Sequence, residues 1–464
     1  MRLFSVLAFG LATASAQQQA HTLTVAPGKS ITLSLPARLD IAVAATKLPR
    51  VRFFAPSPDG RVFATTMYSL ADNRRGAVYV LEGFDAQTHG FTKVTPYLEH
   101  LRNPNSLAFY TDEKKQAWLY LALTDRLVRY KYSAGDSAPT GPPQLLTRFP
   151  DYGLGYKYGG WHLTRTVAIA TLHGRPRVYV ATGSSCNYCK ELEAVRASVV
   201  SMDPDGGRMA IVAHGLRNAV DLRFVPGLDG GAVFATNMGD DHLGDQAPED
   251  TMFEIDAANR QRPTAGAAAL NYGWPKCYFD GGKAVLDDTP LPMNPGEDAK
   301  TVAPKPAGPP QGDEDSVYGE QKGVAAAGTN LAAQTHTGAR LPNVGAVPEP
   351  LTRCDSVPAA YTTFSPHASP LGLAYFGGES TVLANSFLVA LHGASHPHIG
   401  TGYRVVRFTA GNRKPQDFIT GFVRTAGGKT VVRGRPCGML QLGPDTFLLS
   451  DDFLGAVYIV YPKK

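Results

Sequence analysis

Beyond its first residues the sequence lacks any apolar run long enough to span a membrane, and it has no run of Lys or Arg. A membrane-spanning helix needs about 20 predominantly apolar residues, and a surface that follows nucleic-acid phosphates needs clustered basic side chains. The 45 basic and 40 acidic residues nearly balance, giving a net charge of +5. We therefore expect no membrane span and no nucleic-acid partner, although a few placed arginines suit a small anionic ligand.

Charged residues are also scarce, at 18% of the chain, and segments with a 3.6-residue apolar period are nearly absent. Coiled coils and long helices are rich in Ala, Glu, Lys and Leu, so both are excluded. The hydrophobic content of 43% is enough to bury a large core, which excludes a wholly disordered chain. The 48 Gly and 35 Pro residues are typical of many short strands joined by turns.

The N-terminus has the features of a secretory signal peptide. Arg2 supplies a positive charge, residues 3–11 are mostly apolar, and Ala14-Ser15-Ala16 forms a small-residue cleavage pattern. We expect residues 1–16 to be a signal peptide and the mature protein to be secreted, extracellular or periplasmic. The alternative is a buried N-terminal strand.

Export permits disulfides. The pair Cys186-x-x-Cys189 is compatible with a redox motif, half of a metal site or a small disulfide loop. No second CxxC and no nearby His pair support zinc, and Lys190 stands where covalent haem attachment would need His. We therefore favour a structural Cys186–Cys189 disulfide.

The remaining cysteines are Cys277, Cys354 and Cys437, so the odd total of five leaves at least one thiol free. A Cys277–Cys354 disulfide would join the ends of a long insertion. Cys437 would then be buried and free.

Strand and turn patterns repeat along the chain in six units. Each unit contains two or three apolar or β-branched runs separated by Gly- or Asp-containing turns. A period in the fifties with three or four strands per unit is typical of propeller blades. The sequence therefore predicts an all-β, six-bladed β-propeller over residues 45–462, preceded by an N-terminal segment at 17–44. The units start near residues 51, 105, 163, 218, 371 and 437.

A long irregular insertion is predicted between the fourth and fifth blade cores. Residues from about 286 to 350 are rich in Ala, Gly, Pro and Asp and have almost no strand pattern. We interpret them as a long surface excursion. An undetected seventh blade is the alternative.

Ligands of a propeller bind at one end of its central channel, so polar residues at the starts of innermost strands are the first functional candidates. Five residues have this position: His162, Arg217, Asn218, Arg433 and Arg435. A histidine can accept a proton near neutral pH, and a guanidinium group binds carboxylates or carbonyl oxygens. The two arginines at i and i+2 would share one face of a strand. The alternatives are a structural histidine, an inter-blade salt bridge and solvent-facing arginines.

Further candidates lie in loops. The acidic, glycine-punctuated stretch 237–245 suits a hard cation such as calcium, or is a solvated turn. The aromatic residues Trp161, Tyr272 and Trp274 are candidates for stacking on a sugar, although core packing explains the last two equally well. A metal cluster at His392-x-x-x-His-x-His is conceivable, but the Gly/Pro loop around it argues against one.

Taken together, these motifs resemble those of the soluble glucose/sorbosone dehydrogenases, which are six-bladed propellers that bind pyrroloquinoline quinone (PQQ) and calcium. The chain looks most like the exported sorbosone or pyranose dehydrogenase branch, over roughly residues 45–462 apart from the insertion. The motifs are Gly-Ser-Ser-Cys-Asn-Tyr-Cys at 183–189, Gly-Leu-Arg-Asn at 215–218, the acidic loop at 239–245, Tyr-Gly-Trp-Pro at 272–275, His-Gly at 392–393, Gly-Arg-Pro at 434–436 and Ser-Asp-Asp at 450–452.

The resemblance implies roles for the strand-start residues. His162 would be the general base that takes the proton of the sugar C1 hydroxyl. Arg217 and Asn218 would polarise the quinone oxygens and stabilise the charge that develops on them. Arg433 and Arg435 would bind the cofactor carboxylates, of which PQQ has three.

The resemblance also implies calcium ligation by backbone carbonyls around Gly244 and Asp245, and cofactor contact by His392. The chain departs from the family where a Trp and an Arg are usual in the loop from His392 to Pro397, and Ala219 stands in place of the usual Pro. These departures put the substrate contacts of that loop in question.

The sequence thus predicts a secreted, PQQ- and calcium-dependent dehydrogenase of an aldose, pyranose or sorbosone-like sugar that passes electrons to an external acceptor. A non-catalytic propeller that binds a carbohydrate or a protein is the main alternative. A calcium-dependent lactonase-type hydrolase is disfavoured, because such enzymes hold their metal with Glu, Asn and Asp side chains, where this chain has arginines.

Overall fold

The computed structural model describes residues 17–463, apart from 71, 152–161, 173, 229, 256–268, 293–343 and 427–428. The predicted signal peptide, Trp161 and most of the predicted insertion lie outside the described residues.

The described chain begins with a hairpin and a single strand. Strands β1 and β2 pair antiparallel, and β3 continues towards the propeller. They span Gln18–Ala26 (β1), Lys29–Pro36 (β2) and Leu39–Ala45 (β3).

The first two blades are antiparallel sheets whose strands follow one another in the chain. Blade 1 comprises β4 (Val51–Pro56), β5 (Val62–Thr66), β6 (Gly76–Asp85) and β7 (Gly90–Leu101). Blade 2 comprises β8 (Ser106–Thr111), β9 (Ala117–Leu123), β10 (Arg126–Tyr132) and β11 (Gln144–Arg148).

Blades 3 and 4 are interleaved, because β19 adds to the edge of blade 3, parallel to β15, before blade 4 is complete. Blade 3 comprises β12 (Arg165–Leu172), β13 (Arg175–Thr182), β14 (Ser198–Met202) and β15 (Ala210–His214). Blade 4 begins with β16 (Asn218–Val225), β17 (Ala232–Met238) and β18 (Asp250–Ile255). After β19 (Leu270–Asn271) and a hairpin of β20 (Cys277–Asp280) and β21 (Lys283–Leu286), blade 4 ends with β22 (Thr362–Phe364). The insertion therefore separates the outermost strand of blade 4 from its other three.

Blade 5 is followed by a small hairpin and then by blade 6. Blade 5 comprises β23 (Pro370–Phe376), β24 (Ser386–Leu391), β25 (Arg404–Thr409) and β26 (Gln416–Ile419), with a 3-10 turn at Pro397–Ile399. The hairpin consists of β27 (Val423–Ala426) and β28 (Lys429–Val432), and blade 6 contains β29 (Pro436–Gly443), β30 (Thr446–Asp451) and β31 (Ala456–Pro462).

The fourth strand of blade 6 comes from the other end of the chain. Strand β3 pairs antiparallel with β31, with Leu39 opposite Pro462 and Ile41 opposite Val460. The N-terminal and C-terminal parts of the chain thus share one sheet, which closes the ring of blades.

Alternating side chains of each blade pack against its two neighbours, as the period of two along a strand requires. In β9, Leu119 and Leu121 join a buried cluster with residues of blade 1, such as Phe63. The intervening Trp118 and Tyr120 join a cluster with residues of blade 3. The hydrophobic core therefore lies between the blades.

The innermost strands surround the propeller axis. Strands β4, β8, β12, β16, β23 and β29 each pack against the innermost strand of the next blade, so they form a closed ring. A buried cluster of Phe53, Val220, Leu371 and Cys437 joins four of these strands across the channel. We refer to this cluster as the apolar layer of the channel.

Two of these strands approach each other too closely for a side chain. A Cβ atom added at Gly372 in β23 would lie 2.3 Å from the carbonyl oxygen of Cys437 in β29. Any residue other than glycine would push the two blades apart.

The structure confirms the predicted all-β, six-bladed propeller. Its first strands begin at the predicted units, and the described residues contain only a short 3-10 turn as helix. No helix in the described part of the chain is long and apolar enough to cross a membrane.

Candidate functional site

The starts of the innermost strands lie at one end of the channel. Near the starts of β4, β8 and β12, the Arg52 Nε atom donates to Asn105 Oδ1 at 3.1 Å, and Asn105 Nδ2 donates to Thr166 Oγ1 at 2.8 Å. Residues at the starts of these three neighbouring strands are therefore joined by side-chain hydrogen bonds.

His162 precedes β12, and its Nδ1 atom lies 3.0 Å from the carbonyl oxygen of Ser184 and 3.1 Å from the Ser184 hydroxyl. That hydroxyl donates to the carbonyl of Cys186 at 2.5 Å, so both Ser184 oxygens present lone pairs to the ring. The proton of the neutral ring is therefore on Nδ1, and Nε2 carries the lone pair. Among the described residues, none forms a hydrogen bond with Nε2.

The environment of His162 keeps its ring neutral. The residue is half-buried by accessible area, but protein surrounds the ring densely. This burial, and then the nearby charge of Arg217, lowers the pKa of His162 well below its ordinary value of 6.5. A neutral imidazole with a bare Nε2 can act as a general base over the neutral pH range.

Arg217 and Asn218 follow the loop that enters β16, and both are buried. The carbonyl oxygens of Asn187 and Gly239 accept from Arg217 Nε at 3.1 Å and Nη1 at 2.5 Å. Its Nη2 atom donates to Asn187 Oδ1 at 2.7 Å and to Asp241 Oδ2 at 3.1 Å. Arg217 is therefore held rigidly from several directions.

Asn218 and His162 both lie close to Gly183. A Cβ atom added at Gly183 would be 2.6 Å from both Asn218 Oδ1 and His162 Cβ, so only a glycine leaves room for these two side chains here. The Oδ1 atom of Asn218 is buried and has no hydrogen-bond partner among the described residues. A buried polar atom of this kind, in the same part of the channel as the candidate base, is typical of a ligand site.

Across the axis, His392 and Arg435 form part of a second polar group. His392 Nε2 lies 2.8 Å from Asp452 Oδ1, and its Nδ1 lies 3.3 Å from Arg435 Nη1. Arg52 Nη1 and Arg50 Nη1 lie 2.8 Å and 3.9 Å from Asp452 Oδ2. All five side chains are buried.

The charges of this group stabilise the Asp452 carboxylate. Burial alone would raise the pKa of Asp452, but His392, Arg52 and Arg50 outweigh burial and lower the pKa below its usual value of 3.8. Arg435 also donates to the carbonyl oxygens of Gly393 and Ala394, both at 3.2 Å. Arg435 is thus a fixed cation.

A loop before β23 connects the two polar groups. His367 contacts Asp241, the carboxylate that Arg217 binds. Two residues further on, the carbonyl oxygen of Ser369 accepts from the backbone N–H of His392 at 2.9 Å. His162, Arg217 and Arg435 therefore belong to one polar region at one end of the channel.

Arg433 does not lie with Arg435. The two residues lie between β28 and β29 instead of on one strand, which removes the expected shared face. Arg433 Nη2 donates to the carbonyl oxygen of Ser30 in the N-terminal hairpin at 3.0 Å, while Arg435 lies in the buried group. In this arrangement Arg433 points to the periphery.

The candidate calcium loop is already engaged by a histidine. His367 Nε2 donates to the Gly244 carbonyl oxygen at 2.8 Å, and its Nδ1 donates to Asp241 Oδ1 at 3.1 Å. The hydrogen bond to Asp241, followed by the Gly244 carbonyl, raises the pKa of His367 to about 9. A protonated imidazole at this carbonyl repels a divalent cation, so the arrangement does not fit calcium at Gly244. Asp245, the other candidate, is exposed.

Tyr272 and Trp274 are buried, at 2% and 7% exposure. The Tyr272 ring packs edge-on against Phe253, and the indole Nε1 of Trp274 donates to the carbonyl of Asn187 at 3.1 Å. These contacts favour core packing over stacking on a sugar.

The cysteine predictions are confirmed. Cys186 pairs with Cys189, and Cys277 pairs with Cys354. Cys437 is free and buried in the apolar layer of the channel, and burial raises the pKa of its thiol to about 12. Its thiol is therefore inert.

Sequence reasoning missed several site residues, including Arg50, Arg52 and His367. Each stands shortly before or at the start of an innermost strand, the same signal that singled out His162. Asp452 lies in the Ser-Asp-Asp motif, and Asn187 lies inside the CxxC motif. Neither was assigned a role from the sequence.

The donor set fits a polyanionic cofactor such as PQQ. Four buried guanidinium groups, those of Arg50, Arg52, Arg217 and Arg435, belong to the polar region. Guanidinium groups suit a ligand with several carboxylates, and the buried Asn218 oxygen lies near Gly183, as His162 does.

Comparison with solved structures reveals the same fold in known sugar dehydrogenases. The holo form of the pyranose dehydrogenase PQQ domain from Coprinopsis cinerea has a TM-score of 0.59 at 17% identity, covering 93% of this chain and 97% of that chain. A Trichoderma reesei carbohydrate-active enzyme of family AA12 has a TM-score of 0.58 at 13% identity, covering 92% and 97%. The PQQ-bound aldose sugar dehydrogenase from Streptomyces coelicolor has a TM-score of 0.51 at 16% identity, covering 92% and 100%.

No protein-family model and no curated protein sequence matches the chain. At these identities the likeness is one of fold. The chain is a six-bladed propeller similar in structure to PQQ-binding sugar dehydrogenases.

Proposed function

We propose that the protein is a secreted, PQQ-dependent oxidoreductase that oxidises the C1 hydroxyl of an aldose, pyranose or sorbosone-like sugar and passes electrons to an external acceptor. The observation that carries the proposal is the orientation of His162, whose Nδ1 faces Ser184 and whose Nε2 has no hydrogen bond among the described residues, in a region rich in buried arginine. The fold of the structural neighbours supports the same chemistry.

His162 is the general base of this proposal. Its Nδ1 proton is fixed on the Ser184 carbonyl, so Nε2 is available to take the proton of the sugar hydroxyl. When bound, PQQ supplies the two-electron acceptor that receives the hydride from C1. Because the pKa of His162 is lowered, the base is already deprotonated at neutral pH.

Arg217, Asn218 and Arg435 would hold the cofactor. Arg217 brings a fixed positive charge next to His162, where it can stabilise negative charge on an oxygen. Arg435 provides a second cationic group for carboxylates, with the His392 imidazole beside it. Arg433 would contribute only at the periphery.

The calcium part of the prediction has weaker support. The His367 contacts oppose a cation at Gly244, so we derive no step through calcium. The two disulfides agree with an oxidising compartment and thus with export.

Two measurements test the proposal. Apo-protein is titrated with PQQ, with and without calcium, and binding is followed by absorbance; dye reduction is then measured with a panel of sugars. We expect stoichiometric PQQ binding and sugar-dependent dye reduction. His162→Ala should lower kcat by about 10²- to 10⁴-fold without preventing PQQ binding.

His21→Gln, in the N-terminal hairpin, is the matched histidine control and should keep wild-type activity. Absence of both PQQ binding and dye reduction in the wild-type protein would reject the proposal. PQQ binding without turnover on any sugar would instead favour the non-catalytic propeller.

A further inference from the structure

The CxxC motif forms a short loop, Cys186-Asn187-Tyr188-Cys189, closed by a disulfide. Both cysteines are fully buried, so the disulfide is not placed to exchange with an external thiol. The loop nevertheless contacts Arg217 directly and His162 through Ser184, the two residues to which we assign the central chemistry.

Asn187 binds Arg217 with two different acceptors. Its backbone carbonyl accepts from Nε at 3.1 Å, and its side-chain Oδ1 accepts from Nη2 at 2.7 Å. Two adjacent N–H groups of the planar guanidinium fork are thereby fixed by one residue. Oδ1 also accepts from the backbone N–H of Asp241 at 2.9 Å, which positions the carboxylate that pairs with Arg217.

The segment that leads into the loop positions His162. Both oxygens of Ser184 face His162 Nδ1, and the Ser184 hydroxyl donates to the carbonyl of Cys186 at 2.5 Å. The backbone N–H of Ser184 donates to the carbonyl of Arg217 at 2.7 Å. Ser184 and Asn187, three residues apart, therefore bind the candidate base and the candidate cation, and the Cys186 carbonyl connects the two through the Ser184 hydroxyl.

The loop is itself fixed from outside. The Trp274 indole donates to the Asn187 carbonyl, and the buried Glu191 carboxylate accepts from the backbone and the hydroxyl of Ser185, both at 2.7 Å. The disulfide then fixes Cys186 relative to Cys189, on either side of Asn187. The loop has little freedom to move away from Arg217.

We propose that Asn187 is a positioning residue. We further propose that the disulfide-closed loop 186–189, here called the brace, holds His162 and Arg217 in fixed positions relative to each other. The expected loss of kcat rests on the proposed function. The fixed position of Arg217 does not, because it is already a property of the apo-protein. Without the brace, Arg217 loses two of its acceptors, and the Ser184 hydroxyl that faces His162 loses its own acceptor, the Cys186 carbonyl.

The test compares three changes: Asn187→Ala, the double change Cys186→Ser with Cys189→Ser, and Asn187→Asp. The first removes the Oδ1 acceptor, the second opens the loop, and the third retains an acceptor for Arg217 and Asp241. The matched control is the double change Cys277→Ser with Cys354→Ser, which removes the same number of cysteines outside the brace.

The first readout needs no cofactor. Apo-protein is treated with phenylglyoxal, and the rate of arginine modification is followed by peptide mass spectrometry. We expect modification of Arg217 to be at least about tenfold faster in Asn187→Ala and in the opened loop. The rate should stay at the wild-type value in the Cys277/Cys354 control. Arg102, which is buried and held by Asp72 and Asp151, serves as the internal reference.

The second readout is kinetic. Asn187→Ala should lower kcat by about 10- to 100-fold, as expected for a hydrogen bond to a charged group, and Asn187→Asp should restore most of it. An unchanged Arg217 modification rate in both brace variants would overturn the inference. An equal increase at Arg102 would also overturn it, because the loop would then stabilise the whole fold and not Arg217 in particular. If wild-type protein fails to bind PQQ, the proposed function falls, while the labelling result still decides the inference.

Discussion

Asp452 provides the sharpest test of how the polar region is held together. Its side chain is completely buried and is surrounded by Arg52, Arg50 and His392. Asp452→Asn keeps the size of the side chain but removes the negative charge, leaving two buried guanidinium groups without their carboxylate. Removing one partner of a buried ion pair typically costs about 3–5 kcal/mol, so the free energy of unfolding should fall by about that amount.

The matched control is Asp417→Asn. Asp417 pairs with Arg404 at 3.0 Å, but its side chain is 52% exposed. Exposed pairs contribute about 0–1 kcal/mol, so this variant should remain close to the wild-type protein. Urea unfolding followed by tryptophan fluorescence measures both variants. If the two differ by less than about 1 kcal/mol, the buried network does not stabilise the fold as the contacts indicate.

The stability of wild-type protein and that of Asp452→Asn should also depend differently on pH. The folded protein lowers the pKa of Asp452 below its usual value of 3.8, so the charged carboxylate contributes stability above that pH. That contribution is lost as the pH falls below 3.8 and the carboxylate takes up a proton. Wild-type protein should therefore lose more stability than Asp452→Asn over this range, and parallel curves would contradict the assignment.

Two further predictions follow from the site and from the ring. Because the pKa of His162 is lowered, the acidic limb of kcat/KM should lie below pH 6.5, and a limb above that value would exclude His162 as the neutral base. Gly372→Ala should strongly reduce the melting temperature, because its Cβ would meet a backbone carbonyl. The control Gly141→Ala, at a position with open space around it, should not reduce the melting temperature. Equal melting temperatures of the two variants would refute the close approach of the strands at Gly372.

Much of the fold was accessible from the sequence because each blade is a local unit. Alternating apolar runs and intervening turns identify most of the first three strands of the blades, and residues at strand starts lead to His162, Arg217 and Arg435. The role of β3 was not predicted, since its partner β31 lies more than 400 residues away and no local pattern shows such pairing.

The site was predicted less completely, for a physical reason. Position along a strand shows that a residue approaches the axis, but it does not show which side-chain contacts form there. Arg433 follows the same sequence pattern as Arg435, yet it donates to Ser30 at the periphery. His367 lies in a loop, and only the folded arrangement brings it to the Gly244 carbonyl.

The sharing of blade 6 between the two ends of the chain has a consequence for biogenesis. Arg435 and Asp452 belong to the part of the chain that is synthesised last, and their sheet is completed by β3, which is synthesised among the first. Strand β3 therefore cannot pair with β31 until the last residues of the chain have been synthesised. The part of the polar region that contains Arg435 and Asp452 is therefore completed late, and a chain truncated before β31 would lack the sheet that joins its beginning to its end.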